Sequence, residues 1–285
     1  MNNTKFNNST KLLISVSNNP TNFGVTIYNH IFDKLKMNFI YLPFKISNPN
    51  DVIEIITKLD IYGCSVSSPL KETIYNELKD FDEPVKRLGN INTIKNNSGT
   101  LKGYNTDYYG FKSLVVNKKY QNVLIYGYGA VTKTIVNCLS DIGIKNIRIT
   151  GRDNKKIELF CEKNNIKNFQ NNENFDLLIN ATPSGNKNDQ VINYLDFCSN
   201  LIDLNVSNSN NYLVKLAVEK GIEVTKGTDM SILQLQKQFE IYFGFEPDKQ
   251  LVIEGLEKYN NLYSWLTNTL IIDYFFKYIF PSSKR

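Results

Sequence analysis

The sequence predicts an α/β fold arranged as two domains in series. Apolar runs of strand length alternate with segments of helical period, the pattern of β-α-β units and a mostly parallel sheet. The alternation breaks near residue 89 and resumes near residue 122, and 285 residues suit two ordinary domains.

The first series reads LLISVS, a helix over 25–36, NFIYLPF, a helix over 49–59, IYGCSV and a helix over 69–78. Then GNINTIKNNSGTLKGYNTD supplies two short extended pieces around NNSG, a hairpin turn signal that closes a first domain at 1–106. A helix over 107–116 leads into strand 122–126, helix 130–142, NIRIT, helix 154–164, FDLLIN and SNLIDLNV, a second domain over 107–246. MSILQLQKQFEIYFG and DKQLVIEGLEKY read as amphipathic helices. The second of them and the aromatic-rich tail from about Asn260 to Arg285 form a segment, 247–285, expected to pack back on the first domain.

Composition narrows the function classes. Hydrophobic residues at 41% and charged residues at 21% are globular values. The net charge of +5 is dispersed among many Asn and Lys residues, not gathered into a basic stripe, so no nucleic-acid partner is expected. Cys64, Cys138, Cys161 and Cys198 are far apart and His30 is the sole histidine, which predicts no metal site. The polar start MNNTKFNNSTK lacks the apolar core of a signal peptide, and LIIDYFFKYIF at 270–280 is about half the length needed to span a bilayer. A cytoplasmic protein without a membrane partner is expected.

Two stretches carry chemistry. VLIYGYGAVTKTIV puts Gly127, Gly129 and Thr132 after a buried strand and at a helix start, the context of a G-x-G-x-x-G/A dinucleotide fingerprint, although the third position is Thr132. After the next strand, NIRITGRDNKK has no acid placed for a ribose 2′-hydroxyl and offers Arg152 and Lys156, which suit a 2′-phosphate and favour NADP over NAD. Asp153 between them would repel that phosphate if it pointed inward. An ordinary glycine turn and a solvated helix start are the alternatives. For hydride transfer at a C–OH carbon, a lysine near a carboxylate can move the hydroxyl proton; Lys71 in GCSVSSPLKET and Asp107 in GYNTDYYGF are the candidates, with a surface helix lysine as the plain alternative for Lys71.

With these residues in view, SVSSPLK, NINTI, GYNTDYYGF, GYGAVTK, NATPSG and KGTDMSILQLQKQF stand in the order found in the shikimate dehydrogenase family, and the chain resembles that family over roughly residues 11–258. The resemblance implies a substrate domain and a Rossmann domain with the site in the cleft between them. The implied reaction is reversible reduction of 3-dehydroshikimate to shikimate with NADPH, a step of chorismate and aromatic amino-acid biosynthesis. It implies Lys71 and Asp107 as the catalytic pair, and Ser67, Asn92, Asn105 and Gln234 as substrate-binding residues. It puts Gly127, Gly129, Ala130, Arg152, Lys156, Thr182 and Met230 on cofactor-binding positions, and allows a monomer or a homodimer.

The chain departs from that pattern in three places. Aligned on Asn29, the first loop TNFGVTIYNHIF sets Asn22 and Gly24 where the family has two serines that bind the substrate carboxylate. Asn22 can donate through its amide, and Thr26 or Tyr28 is expected to supply a hydroxyl one helical turn onward. Val206 stands in place of a tyrosine, and the tail extends beyond the shared region. Loop and tyrosine site resemble the shikimate dehydrogenase-like branch. That leaves quinate or another cyclic polyol carboxylate as an alternative substrate, and an NADP-binding regulatory paralogue as an alternative role, against which the intact Lys71 and Asp107 argue.

Overall fold

Asn48, Asp82, Asn105, Asp153 and Asn211 each stand in extended backbone and accept a main-chain N–H two or three residues onward. A side-chain acceptor there satisfies one of the orphan donors of a helix start, so each of the five marks a switch from extended chain to helix. In the computed structural model, which describes residues 6–169, 174–206 and 210–261, these switches set the rhythm of the fold. The tail reading lies, from residue 262 on, outside the described residues.

The first sheet contains β1 (Lys11–Ser17), followed by helix α1 (Phe23–Lys34), β2 (Phe39–Lys45), α2 (Pro49–Lys58), β3 (Gly63–Val66), α3 (Leu70–Thr73), β4 (Asp80–Phe81), α4 (Glu83–Leu88), β5 (Thr93–Asn97) and β6 (Thr100–Tyr104). Its strand order is β2-β1-β3-β5-β6-β4, parallel from β2 to β3 and antiparallel between β3 and β5. NNSG is the hairpin turn the sequence predicts: Ser98 and Gly99 have φ of 52° and 94°, and Asn96 Oδ1 accepts the Gly99 N–H at 2.8 Å. The helix expected over 69–78 is shorter. α3 gives way to a 3-10 turn at Ile74–Glu77, anchored by buried Leu70 and Ile74 rather than by a long apolar stripe.

α5 (Thr106–Val115) leads to β7 (Asn122–Tyr126), α6 (Ala130–Asp141), β8 (Asn146–Thr150), α7 (Asn154–Asn164), β9 (Lys167–Asn168), β10 (Leu177–Asn180), β11 (Asn200–Asp203), α8 (Tyr212–Glu219), β12 (Glu223–Lys226) and α9 (Gly227–Phe243), and a further helix, α10, covers 249–261. The second sheet is parallel throughout, in the order β9-β8-β7-β10-β11-β12. That is the doubly wound Rossmann order, whose reversal lies between β7 and β10 and opens a crevice at their carboxyl ends. β7 is buried on both faces: Val123 and Ile125 join the core with Phe111, Ile135 and Ile149, while Leu124 and Tyr126 join Leu195, Leu213 and Ala217. Two-sided burial is why VLIY is continuously apolar. The sequence reading passes over α4, β9, α8 and β12, each of eight residues or fewer.

The chain divides into two compact units, one comprising the chain up to Asp80, Ile91–Gly103 and the chain from Phe239 onward, the other Phe81–Asn90 and Tyr104–Gln238. In the first, the end of α9 and α10 pack on α1. Tyr242 and Phe239 lie against Tyr28, Phe23 meets Tyr259 edge-on at 5.2 Å, and His30 Nε2 lies 3.1 Å from Glu254 Oε2.

Candidate active site

In the first unit, short backbone ties gather three of the residues named from sequence. Past the end of β3, the Ser67 N–H donates to Val16 O at 3.1 Å, which holds Ser67 at the carboxyl end of β1. The Val66 N–H donates to Asn92 O, and the Ile91 N–H donates to Lys71 O, both at 2.8 Å. Lys71 and Asn92 are therefore fixed beside the same strand end by main-chain bonds. Asn92 is buried and accepts the Thr93 hydroxyl at 2.9 Å, Lys71 is half-buried, and Ser67 is exposed.

The first loop differs from its expectation. Asn22 is exposed, and its carbonyl takes both the Thr26 N–H and the Thr26 hydroxyl, each at 2.9 Å. Tyr28 is buried and stacks on Tyr41 at 4.6 Å between centroids. Neither Thr26 nor Tyr28 is placed to stand in for the missing serines: one hydroxyl is committed to the helix start, and the other points into the core.

A second group forms in the second unit. Asn105 caps α5 by accepting the Tyr108 N–H at 3.1 Å, and its amide donates to Asn90. Asp107 sits in the first turn of that helix, half-buried. The Gln234 amide donates to Thr106 Oγ1 at 3.2 Å, and a Cβ on Gly110 would stand 3.0 Å from Gln234 Cβ and 3.1 Å from Met230 O. Thr106 and Gly110 of α5 thus meet Gln234 and Met230 of α9, with Asn105 and Asp107 on either side of Thr106 in the chain.

The crevice of the second sheet holds the glycine loop. Gly127 has φ of 125°, donates to Thr150 O at 2.8 Å, and has no room for a Cβ, which would lie 2.8 Å from Thr182 Cγ2. Gly129 caps α6, and a Cβ there would meet nothing within 4 Å, so the exposed Gly129 and Ala130 leave the helix N-terminus open to an anion. Thr132, in the position of the third fingerprint residue, is fully buried, and its Oγ1 has no hydrogen-bond partner. Its side chain therefore serves packing between α6 and the sheet, the role a small residue plays at that position. Asp153 does not reach inward: its carboxylate caps α7 through the Lys156 N–H at 3.2 Å and lies 3.5 Å from Lys156 Nζ. Arg152 is exposed, and its charge is felt by Tyr126 and by Asp189.

Sequence reasoning missed what shapes the loop after β10. Asn180 Oδ1 accepts from the Thr182 hydroxyl at 2.7 Å, and its Nδ2 donates to Ser184 O at 2.6 Å and to Asp203 Oδ1 at 2.8 Å. Asn211 donates to the other Asp203 oxygen at 2.7 Å. Burial raises the Asp203 pKa above the usual carboxylate range, against the pull of these donors. An acid and an amide closing two adjacent apolar strands, LLIN and NLID, are the available signal. Among the described residues no cluster of His, Cys, Asp and Glu could hold a metal ion, and no helix is long and apolar enough to cross a membrane.

Known proteins resemble this chain along most of its length. A model of the shikimate dehydrogenase substrate binding domain matches residues 21–94. A shikimate dehydrogenase-like protein of Haemophilus influenzae is 29% identical over 261 residues, 87% of this chain and 96% of the relative. The solved structure of a shikimate 5-dehydrogenase-like protein superposes with a TM-score of 0.81 at 29% identity, covering 88% of this chain and 98% of that one. A shikimate dehydrogenase (NADP(+)) of Clostridium botulinum is 33% identical over 223 residues, 73% of this chain and 86% of the relative. With two α/β units, a Rossmann sheet and that identity over most of both sequences, this chain belongs to the shikimate dehydrogenase family.

Proposed function

We propose that the protein is an NADP-dependent dehydrogenase that interconverts shikimate and 3-dehydroshikimate. The observation that carries the reading is the pair of main-chain bonds that set Lys71 and Asn92 beside the β3 end, with Ser67 next to them. A ring hydroxy acid needs one group to exchange its hydroxyl proton and several two-way hydrogen-bonding groups to fix its orientation.

NADP, when bound, supplies the hydride acceptor or donor. The open N-terminus of α6 over Gly129 and the close approach of Gly127 to Thr182 fit a pyrophosphate lying on backbone, and Arg152 and Lys156 fit a 2′-phosphate. In the oxidative direction, the neutral Lys71 amine takes the proton of the reacting hydroxyl as its C–O bond becomes C=O. In the reductive direction, the Lys71 ammonium returns it, a role worth about two to four powers of ten in rate. In the first unit, Ser67 and Asn92 are the groups that hold ring hydroxyls; in the second, Asp107, Asn105 and Gln234 are the residues that the family resemblance assigns to the acid. Four free thiols, three of them buried, suit a reducing cytoplasm.

The first loop favours a second reading, a related cyclic polyol carboxylate as the preferred acid, because neither Thr26 nor Tyr28 restores the hydroxyls absent at 22 and 24. Reduction of NADP and NAD measured in parallel with shikimate and quinate separates the two. Preference for shikimate with NADP supports the first reading, preference for quinate the second, and binding of NADP without oxidation of either acid refutes both.

A further inference from the structure

Asn105, which the resemblance assigns to the acid, has its side chain engaged at both ends. It is 1% exposed. Its Oδ1 accepts the Tyr108 N–H at 3.1 Å, and its Nδ2 donates to Asn90 Oδ1 and lies 3.5 Å from Asn90 O. The main-chain donor settles which way round the amide stands: an N–H calls for oxygen, so nitrogen faces Asn90, and the Asn90 side-chain atom that meets it is oxygen. Both N–H groups of Asn105 are thus given to one neighbour, and an acid would find neither.

Asn90 is itself firmly placed. It is 2% exposed and follows the end of α4, where Gly89 turns into the left-handed region at φ 64° and donates to Val85 O at 2.8 Å. The last carbonyl of α4, that of Leu88, accepts Lys133 Nζ of α6 at 2.5 Å, a cation at a helix carboxyl end. The α5 start is closed on its other side as well: Thr106 is fully buried, and its Oγ1 accepts the Gln234 amide. Of Asn105, Thr106 and Asp107, only Asp107 is partly exposed, in the first turn of α5.

We propose that Asn90 and Asn105 are a pair of positioning residues: their buried amides hold the α5 start, and with it Asp107, in the arrangement the reaction needs, and neither amide touches the acid. The inference rests on the reading of the site as that of a cyclic hydroxy acid dehydrogenase. A neutral pair does this without burying a charge, whose desolvation an ion pair in the same place would have to offset. It also makes the two residues one unit energetically: once either amide is gone, the contribution of the other to turnover goes with it.

The test is a double-mutant cycle on steady-state oxidation of shikimate with NADP, by wild type, Asn90→Ala, Asn105→Ser and the double variant, with thermal unfolding and the KM for NADP followed alongside. Serine at 105 keeps a capping oxygen for the Tyr108 N–H, so what it removes is the bond to Asn90. Each single variant is expected to lower kcat/KM for shikimate about three- to tenfold, the worth of one neutral hydrogen bond, with the KM for NADP within about twofold of wild type. The double variant is expected to lose no more than the worse single variant does. If Asn105→Ser lowers kcat/KM and Asn90→Ala leaves it unchanged, Asn105 touches the acid; the proposal is overturned and the reading of the site stands. Single variants as active as wild type, losses that multiply in the double variant, or losses that fall equally on acid and NADP overturn it as well. Asn90→Ser and Asn105→Thr take the place of a variant that does not fold, and if these also fail to fold the pair is structural only and the proposal falls. If wild type does not oxidise shikimate, the reading of the site fails and the proposal falls with it.

Discussion

Gly110 on α5 and Gln234 on α9 meet with no room for a further methyl group, since a Cβ at 110 would lie 3.0 Å from Gln234 Cβ and 3.1 Å from the Gln234 nitrogen. The obstacle includes backbone, which cannot swing aside as a side-chain tip can. Gly110→Ala is expected to push α9 outward and cost about 1–3 kcal/mol, read as a lower denaturant midpoint at unchanged slope. Because Gln234 lies on this seam, the variant should also lose turnover. A variant as stable and active as wild type would show that the seam does not position it.

Asp141 ties together three helices of the second unit. Arg87 of α4 donates to it through two nitrogens, and the Tyr108 hydroxyl of α5 donates at 2.6 Å. The Arg87 hydrogen bonds, ahead of that from Tyr108, hold the Asp141 pKa below the ordinary carboxylate value. A depressed folded pKa means stability that is present above the unfolded value of about 4 and lost as pH falls through the folded one. Asp141→Asn should cost about 1 kcal/mol near neutral pH, a modest figure because Arg87 is half exposed, and the gap to wild type should close below about pH 4. Unfolding midpoints at pH 7 and pH 3 check this; a gap independent of pH would contradict it.

Much of this architecture is legible from sequence where a residue type has one local use. Gly127 and Gly129 mark the first turn of the Rossmann sheet, NNSG the hairpin, and the two-sided burial of β7 is legible in VLIY. Short elements escape because periodicity needs length: α8 spans eight residues, and its buried stripe is only Leu213, Val214 and Ala217. The Asn180, Asp203 and Asn211 network escapes for another reason. Polar residues at strand ends and at a helix cap look like loop residues until the fold brings them together. The fate of Asp153 required the structure too, since the same carboxylate can face a ligand or cap its own helix.

That cap yields a prediction on cofactor choice. Asp153 is committed to the α7 start, so Asp153→Ser, which keeps a capping oxygen, should change NADP affinity less than threefold. Arg152→Ala should weaken NADP by about tenfold or more and leave NAD unchanged, because only the 2′-phosphate distinguishes them. Titration of both nucleotides against the two variants checks it. A large gain of NADP affinity in Asp153→Ser would mean that the acid faces the phosphate after all.

Asp203 should matter through the loop it holds. Asp203→Ala takes from the Asn180 amide one of its two acceptors and from the Asn211 amide its Asp203 acceptor, at a cost of about 1–3 kcal/mol, and loosens the turn at Thr182–Gly185. The KM for NADP should then rise more than the KM for the acid. A loss shared equally between the two would show a general loosening of the second unit.

The most direct test of the central claim is single-turnover oxidation of shikimate by Lys71→Ala with NADP in excess. The lysine is tied to its place by a main-chain bond to Ile91, which alanine keeps, so the fold and NADP affinity should be those of wild type. The account predicts a rate lower by about two to four powers of ten, with partial recovery on adding a small primary amine that can take the proton. A Lys71→Ala enzyme that turns over shikimate as fast as wild type would contradict the assignment of proton transfer to Lys71.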